Sequence, residues 1–487
     1  MLSASLFGAL SYGQNEADVL RYSMTDFFGT ARTEGMAGAF SALGADFSML
    51  PMNPAGLARL TSSQFAFSLN TAIINTQGTF NESLALDQNR SVKPANIGVV
   101  FTTDRSHRND GRVFRQFSLG YTRLQNFDYD RYYEGENFNS LLDVFANDGE
   151  GIPMANDEIF FQRPFSTGLG LDVNAILYDP ATTTYFPNLS AGDMFHERNI
   201  RTRGGIGDFH LAFSENFNNE LYYGVSVGIR RIRYDEEVRH TETLLDPGPV
   251  TLNSFDYLFD LEARGWGINL RGGIIYLPED YIRFGVSFET RTIQNITENY
   301  SADMVAFHDY GVETIPNEWK PFGEFKYRLR TPAKLRGSFA YIFDYKGAFT
   351  TDLELINYRA GRLSSLPSGE FGFYQFIAEN SEVVAQHRPV LNARFGFEHL
   401  IAPSVFFRAG YAIQPQPFDR SIEHTRKAAQ TFATGIGING RSVNFDIGYR
   451  FRTVHLDYFA FDPSDLSNRT NFITNTHHIV FSISTRF

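Results

Sequence analysis

The chain ends His477-His478-Ile479-Val480-Phe481-Ser482-Ile483-Ser484-Thr485-Arg486-Phe487. Ile479, Phe481, Ile483, Thr485 and Phe487 alternate with Val480, Ser482, Ser484 and Arg486. Side chains of a strand point to opposite faces with period two, so nearly every apolar residue here shares one face. A surface strand of a soluble protein seldom ends so apolar on its outward side. The closing strand of a membrane barrel does, because that side meets lipid.

Working back from the C-terminus, the same signature recurs. Period-two segments cover 64–71, 96–102, 116–124, 207–213, 221–232, 265–276, 281–290, 335–345, 348–357, 391–400, 404–413, 431–438, 441–452 and 477–487. Their number is even, as single-chain bacterial barrels require. From the first segment onward the connections run long, then short. The short ones are 105–111, 215–220, 277–280, 346–347, 401–403 and Asn439-Gly440, whose residue types suit a two-residue hairpin. The long ones are 72–95, 125–205, 233–263, 291–334, 358–390, 414–430 and 453–476. Short turns on one side and long loops on the other are the asymmetry of an outer-membrane barrel, with both termini on the short-turn, periplasmic side. The expected fold is an all-β, 14-stranded antiparallel transmembrane barrel over residues 64–487.

Parity assigns the faces. In 441–452, Val443, Phe445, Ile447, Tyr449 and Phe451 face lipid, while Asn444, Asp446, Gly448, Arg450 and Arg452 face the lumen. The same rule puts Asn269, Arg271, Arg283, Glu289, Arg336, Asp352, Glu354, Arg394, Glu398 and Arg408 inside. An Arg or Lys on the lipid face at mid-barrel costs ~2–4 kcal/mol, so a lumen carrying both signs is the cheaper arrangement.

Composition agrees. The 487 residues include 48 Phe and 24 Tyr but 2 Trp, and the mean hydropathy is −0.26. The chain is rich in β-formers without being hydrophobic on average. No stretch approaches the ~18–20 apolar residues of a spanning helix. There is no Cys, hence no disulfide framework, thiolate catalyst or acylation site. The net charge of −12 disfavours nucleic acid, which needs a basic surface. Residues 1–13 have the apolar core and small-residue cleavage region of a secretory signal, without a basic leader, since the first basic residue is Arg21.

Residues 14–63 precede the first segment and do not alternate. Small residues crowd there, with Pro and Gly forcing breaks. A 14-stranded ring is too wide for its own side chains to fill, so these fifty residues are expected to form an N-terminal plug, or hatch. Gly35-x-x-Gly38 lacks both a Walker lysine and dinucleotide spacing.

Within the hatch, Gly29-Thr30-Ala31-Arg32, Gly35-Met36-Ala37-Gly38-Ala39-Phe40, Gly44-Ala45-Asp46 and Asn53-Pro54-Ala55-Gly56-Leu57 resemble the N-terminal hatch of the FadL/TodX (OmpP1) outer-membrane transporters. The resemblance is specific over residues 26–60 and is carried elsewhere by architecture. It implies a monomeric barrel of the bacterial outer membrane that moves hydrophobic small molecules such as long-chain fatty acids. Capture would be external, an internal apolar site would hold the ligand, and release would be sideways past the hatch beside a kinked strand. It implies hatch or gate roles for Gly35, Gly38, Asp46, Asn53, Pro54, Ala55 and Gly56. The chain departs from better-known members in a longer stretch before the hatch motif and in larger external loops.

Lipopolysaccharide resists apolar solutes, so a carrier must capture them above it. Loop 125–205 is dense in aromatic residues, including Phe127, Tyr133, Phe138, Phe145, Phe161 and Phe186. It is expected to contribute a hydrophobic capture groove, or else to pack on its neighbours. Arg336, Arg408, Arg450 and Arg452 could meet a ligand carboxylate bidentately. The simpler reading pairs them with Asp46, Asp446 or Glu398.

Three other functions compete with this one. A hydrolase would need a nucleophile and base; His477, His478, Ser482 and Ser484 lie near one another but match no such signature. The other histidines, His107, His196, His210, His240, His308, His387, His399, His424 and His455, are scattered without metal-ligand spacing, so neither metal nor cofactor is expected. A polar porin would lack the plug. The main alternative is a secretion-system scaffold of the same fold whose long loops grip a protein partner.

Overall fold

Alternation sets fourteen antiparallel strands into one closed ring. The computed structural model describes residues 16–108, 110–189, 193–246, 250–344, 346–366, 374–419, 427–461 and 466–487. The expected signal segment 1–13 lies outside them. The strands are β1 Gln64–Phe80, β2 Ser83–Asp104, β3 Arg112–Asn126, β4 Met194–Phe217, β5 Leu221–Leu244 and β6 Leu252–Glu279. Two interrupted strands follow: β7 runs through Ile282–Glu289 and Ile293–His308, and β8 through Phe322–Arg330 and Lys334–Phe343. The rest are β9 Gly347–Asn357, β10 Pro389–Ala402, β11 Val405–Gln414, β12 Ala429–Asn439, β13 Val443–Phe459 and β14 Arg469–Arg486. β1 pairs with β14 along all 17 of its residues, from Gln64↔Arg486 to Phe80↔Thr470, and so closes the ring.

Each expected segment falls on one of these strands, and the faces are as parity assigned them. Ile97, Phe117, Leu211, Trp266, Phe284 and Phe445 are exposed outside, whereas Arg271, Glu289, Arg336, Glu354, Arg408 and Arg450 are buried inside. An exposed apolar belt continuous around a cylinder is the surface a bilayer covers. Among the described residues no helix is long and apolar enough to cross a membrane.

The strands run well beyond the expected segments. Residues 72–95, expected as a loop, are strand up to a tight hairpin at Asn81-Glu82, with Asn81 at φ +50°. Likewise β5 and β6 extend to Leu244 and from Leu252. Beyond the lipid both faces of a strand meet water or polar neighbours, so the ladder persists while hydrophobic alternation fades. The expected Asn439-Gly440 hairpin also differs: β12 ends at Asn439, neither residue takes positive φ, and a three-residue loop follows.

The described residues of loop 125–205 form a folded lobe. A strand at Tyr129–Asn137 pairs with the outer half of β4, and helices at Leu141–Asp148, Glu158–Gln162 and Thr167–Asp172 pack above it. Tyr133, Leu141, Leu142, Phe145, Ile159 and Ile176 form its core. Phe138, Phe161 and Phe186 remain exposed.

Candidate functional site

The hatch enters the ring because its own turns are capped and the wall opposite it lacks side chains. Helix α1 spans Glu16–Ser23 and α2 spans Ala31–Glu34. Asn53 starts the turn Pro54–Arg59: its Oδ1 accepts the Ala55 amide at 3.1 Å. Pro54 follows at the one position where a missing N–H leaves nothing unsatisfied. Gly44, at φ +64°, lies against Gly56, and the Ala45 amide donates to the Gly56 carbonyl at 2.8 Å. Gly38 takes φ +77°, and a side chain on it would meet the Phe27 ring. Asp46 accepts from Thr30 Oγ1 at 2.8 Å and from the Ser48 amide at 2.9 Å.

Glycines of the lumen face receive this segment. A Cβ on Gly448 would stand 2.7 Å from the Ala31 carbonyl oxygen, and one on Gly224 equally close to the Pro54 carbonyl. Gly35 faces Gly435 backbone to backbone. A Cβ on Gly273 would collide with the Asn53 side chain, whose Nδ2 also donates to the Ser41 carbonyl at 3.3 Å. Ser482, weighed above as a nucleophile, accepts the Ala31 amide at 2.6 Å and anchors the hatch. His478 is buried against Phe28 and Asn70, while His477 lies on the outer face beside Tyr449.

All four candidate arginines are engaged. Arg408 donates from Nε to Glu398 and from Nη1 to Asp446, each at 2.6 Å, as the simpler reading expected. Glu398 also binds Arg32 of the hatch through both oxygens, at 3.0 and 2.8 Å. Arg336 joins Glu354 at 2.6 Å and Glu289 at 3.3 Å. Arg450 holds Asp26 with two 3.1 Å bonds and lies 3.1 Å from Glu34, and Arg452 reaches Asp26 at 2.8 Å. Asp46 pairs with none of them, because its oxygens cap the hatch turn. The hatch partners are instead Asp26, Glu34 and Arg32.

Two features lie outside the sequence-level candidates. The first is an apolar side-chain cluster, a filled chamber with its space taken by packed residues, at the long-loop end of the lumen. Val19 and Tyr22 of α1 are buried there with Leu124, Phe127, Ile206, Ile232, Tyr234 and Tyr327, under Phe376 and Val383. The second is a seam in the wall. β2 and β3 pair from Asp104↔Phe114 only as far as Asn96↔Thr122. Beyond this, Pro94 has no amide to donate, β3 bulges between Arg123 and Gln125, and Gly204 turns to φ +118°. Side chains bridge the gap: Lys93 pairs with Asp128, and Ser91 donates to Asp128 at 2.7 Å. A cavity of about 780 Å³ opens here on the lipid face, lined by Lys93, Pro94, Arg123, Asp128 and the outward rings of Tyr121 and Phe209. Pro inside a strand pattern and the pair Gly204-Gly205 were the signals available in the sequence.

The chain is thus a plugged barrel with a lipid-facing belt, an apolar inner chamber and an unpaired stretch of wall beside it. No family model matches the sequence, and no curated protein does. Solved structures do, and they have the fold that the hatch resemblance implied. A FadL homologue of Pseudomonas aeruginosa is 13% identical, with 95% of this chain and 98% of that one covered at a TM-score of 0.56. The P. putida toluene transporter TodX is 15% identical over 95% and 99%, at 0.55. The Ralstonia pickettii toluene transporter TbuX is 13% identical over 95% and 99%, at 0.51. The chain therefore resembles the FadL/TodX barrels in fold along nearly its whole length.

Proposed function

We propose that this protein is an outer-membrane channel for hydrophobic small molecules, a fatty acid or similar ligand, working as a monomer with both termini in the periplasm. The observation that carries this reading is a single short segment, 123–128, with two faces. Arg123 and Asp128 line the wall cavity, while Leu124 and Phe127 belong to the inner chamber. A solute in the chamber is one segment away from the bilayer. The exposed Phe138, Phe161 and Phe186 of the external lobe are its first contacts above the lipopolysaccharide. The chamber is occupied by Val19 and Tyr22, so a ligand enters by displacing α1, and release is lateral through the β2–β3 seam. The hatch closes the axial route, and Arg336, Arg408, Arg450 and Arg452 hold wall and hatch together rather than the ligand.

The absence of native cysteine makes the seam easy to test. Lys93→Cys and Asp128→Cys together, joined by a short bifunctional thiol reagent, should abolish uptake of a radiolabelled fatty acid while leaving its binding to purified protein intact. Full uptake through the cross-linked barrel would overturn lateral release. Mass spectrometry of protein purified in mild detergent should find a co-extracted apolar small molecule. A stoichiometric polypeptide in its place would favour the scaffold reading.

A further inference from the structure

Antiparallel register assembles a cluster that linear spacing hides. His196 of β4 stands directly across from Glu242 of β5, and His240 lies two residues before Glu242 on the same face. The three side chains are buried at the long-loop end, and one donor atom from each lies within 4.8 Å of the others. This is well away from the lipid-facing part of β4 at Phe209 and Leu211.

Both nitrogens of His196 lack a hydrogen-bond partner, as does Nδ1 of His240. A buried imidazole that satisfies neither nitrogen is destabilised relative to a paired one. His196 lies beside the rings of Phe80 and Phe461, with His240 edge-on at 5.4 Å, and its nearest polar partner, Glu242 Oε1, stands beyond hydrogen-bond reach of Nε2 at 3.8 Å.

We propose that His196, His240 and Glu242 form a binding site for one divalent transition cation of the zinc class. Two imidazoles and one carboxylate, with a fourth position left open, are a donor set for zinc. Zinc–nitrogen bonds of about 2.0–2.1 Å place tetrahedral donors about 3.3 Å apart. The Glu242 Oε1 separations bracket that value, at 2.8 Å to His240 Nε2 and 3.8 Å to His196 Nε2. The facing charges are Glu242, which favours a cation, and Arg198, which opposes one; Asp256 is already paired with Arg239 at 2.6 Å.

The site would act as a clasp. Glu242 already holds the start of helix Leu141–Asp148, accepting from Ser140 Oγ at 2.5 Å and from the Leu141 amide at 2.8 Å. A cation on Glu242 orients the carboxylate by which the lobe is attached to β4 and β5, as outer-shell partners of metal ligands do.

The test uses full-length protein in detergent, free of affinity tag and stripped with a chelator. One equivalent of zinc should survive desalting, and cobalt should give tetrahedral ligand-field bands that zinc removes. Copper should show two imidazole nitrogens by electron paramagnetic resonance. His196→Gln and Glu242→Gln should each weaken zinc at least tenfold, while His308→Gln, which alters a buried histidine outside the cluster, should not. Zinc should also slow amide exchange in residues 139–148 and leave hatch amides unchanged. Failure of stripped wild-type protein to retain zinc, or a copper spectrum with fewer than two imidazoles, would overturn the proposal without recourse to any variant.

Discussion

Arg450 on the barrel wall grips Asp26 of the hatch with both arms, Nη1 to Oδ1 and Nη2 to Oδ2, each at 3.1 Å. The two residues are 424 apart in the chain; Arg450 is buried and the Asp26 side chain is 9% exposed. Removing Asp26 leaves Arg450 with Glu34 alone and takes the carboxylate from Arg452, and loss of one partner of a buried pair costs up to about 3–5 kcal/mol. Asp26→Asn should therefore unseat the hatch while the ring stays closed. Planar-bilayer conductance should rise, and protease should cut within residues 26–60. A variant as tight as the parent would show that the pair does not retain the plug.

The wall glycines make a steric prediction. Gly448→Leu would drive a side chain into the Ala31 carbonyl, whereas around Gly272 there is open space within 4 Å. Gly448→Leu should expose the hatch to protease, and Gly272→Ala should behave as wild type. Equal behaviour of the two would remove the lock-and-key account of hatch seating.

Asn53 is worth a separate measurement because it acts in two directions. Asn53→Ala loses the cap on Pro54–Arg59, about 1 kcal/mol, together with the donor to Ser41. Chemical denaturation followed at the hatch should show a loss of about 1–2 kcal/mol, with strand circular dichroism unchanged.

Tyr22 tests whether α1 competes with ligand. Its ring lies edge-on to Phe127 at 6.4 Å and to Tyr234 at 6.3 Å. Tyr22→Ala should weaken the docking of α1 and raise the competent fraction. The apparent affinity for a fluorescent fatty-acid analogue should tighten several-fold. Weaker binding would mean that Tyr22 belongs to the ligand's own site.

Legibility followed the solvent. Val443, Phe445, Ile447 and Tyr449 announce lipid on one face because a bilayer punishes any other choice, and that preference repeats every second residue. Past the lipid, residues such as Thr76 and Asn89 satisfy a strand or a loop equally well, so the long outer halves of the strands were silent. The lobe was left between two readings for a related reason: Phe145 and Ile159 are apolar in a groove or in a core, and only packing decides between them.

Among the charges, Arg408 and Glu398 were legible because they are direct cross-strand neighbours. Arg450 and Asp26 were not, since the hatch path through the lumen decides their meeting. By itself the sequence determined a closed ring of fourteen strands, the face each residue presents, and a small-residue plug at the N-terminus. Tertiary structure alone decided where β2 and β3 part, what fills the chamber, and how His196, His240 and Glu242 converge. Period and composition report the medium on either side of a strand, whereas partners across a cylinder depend on register and closure, which no local stretch encodes.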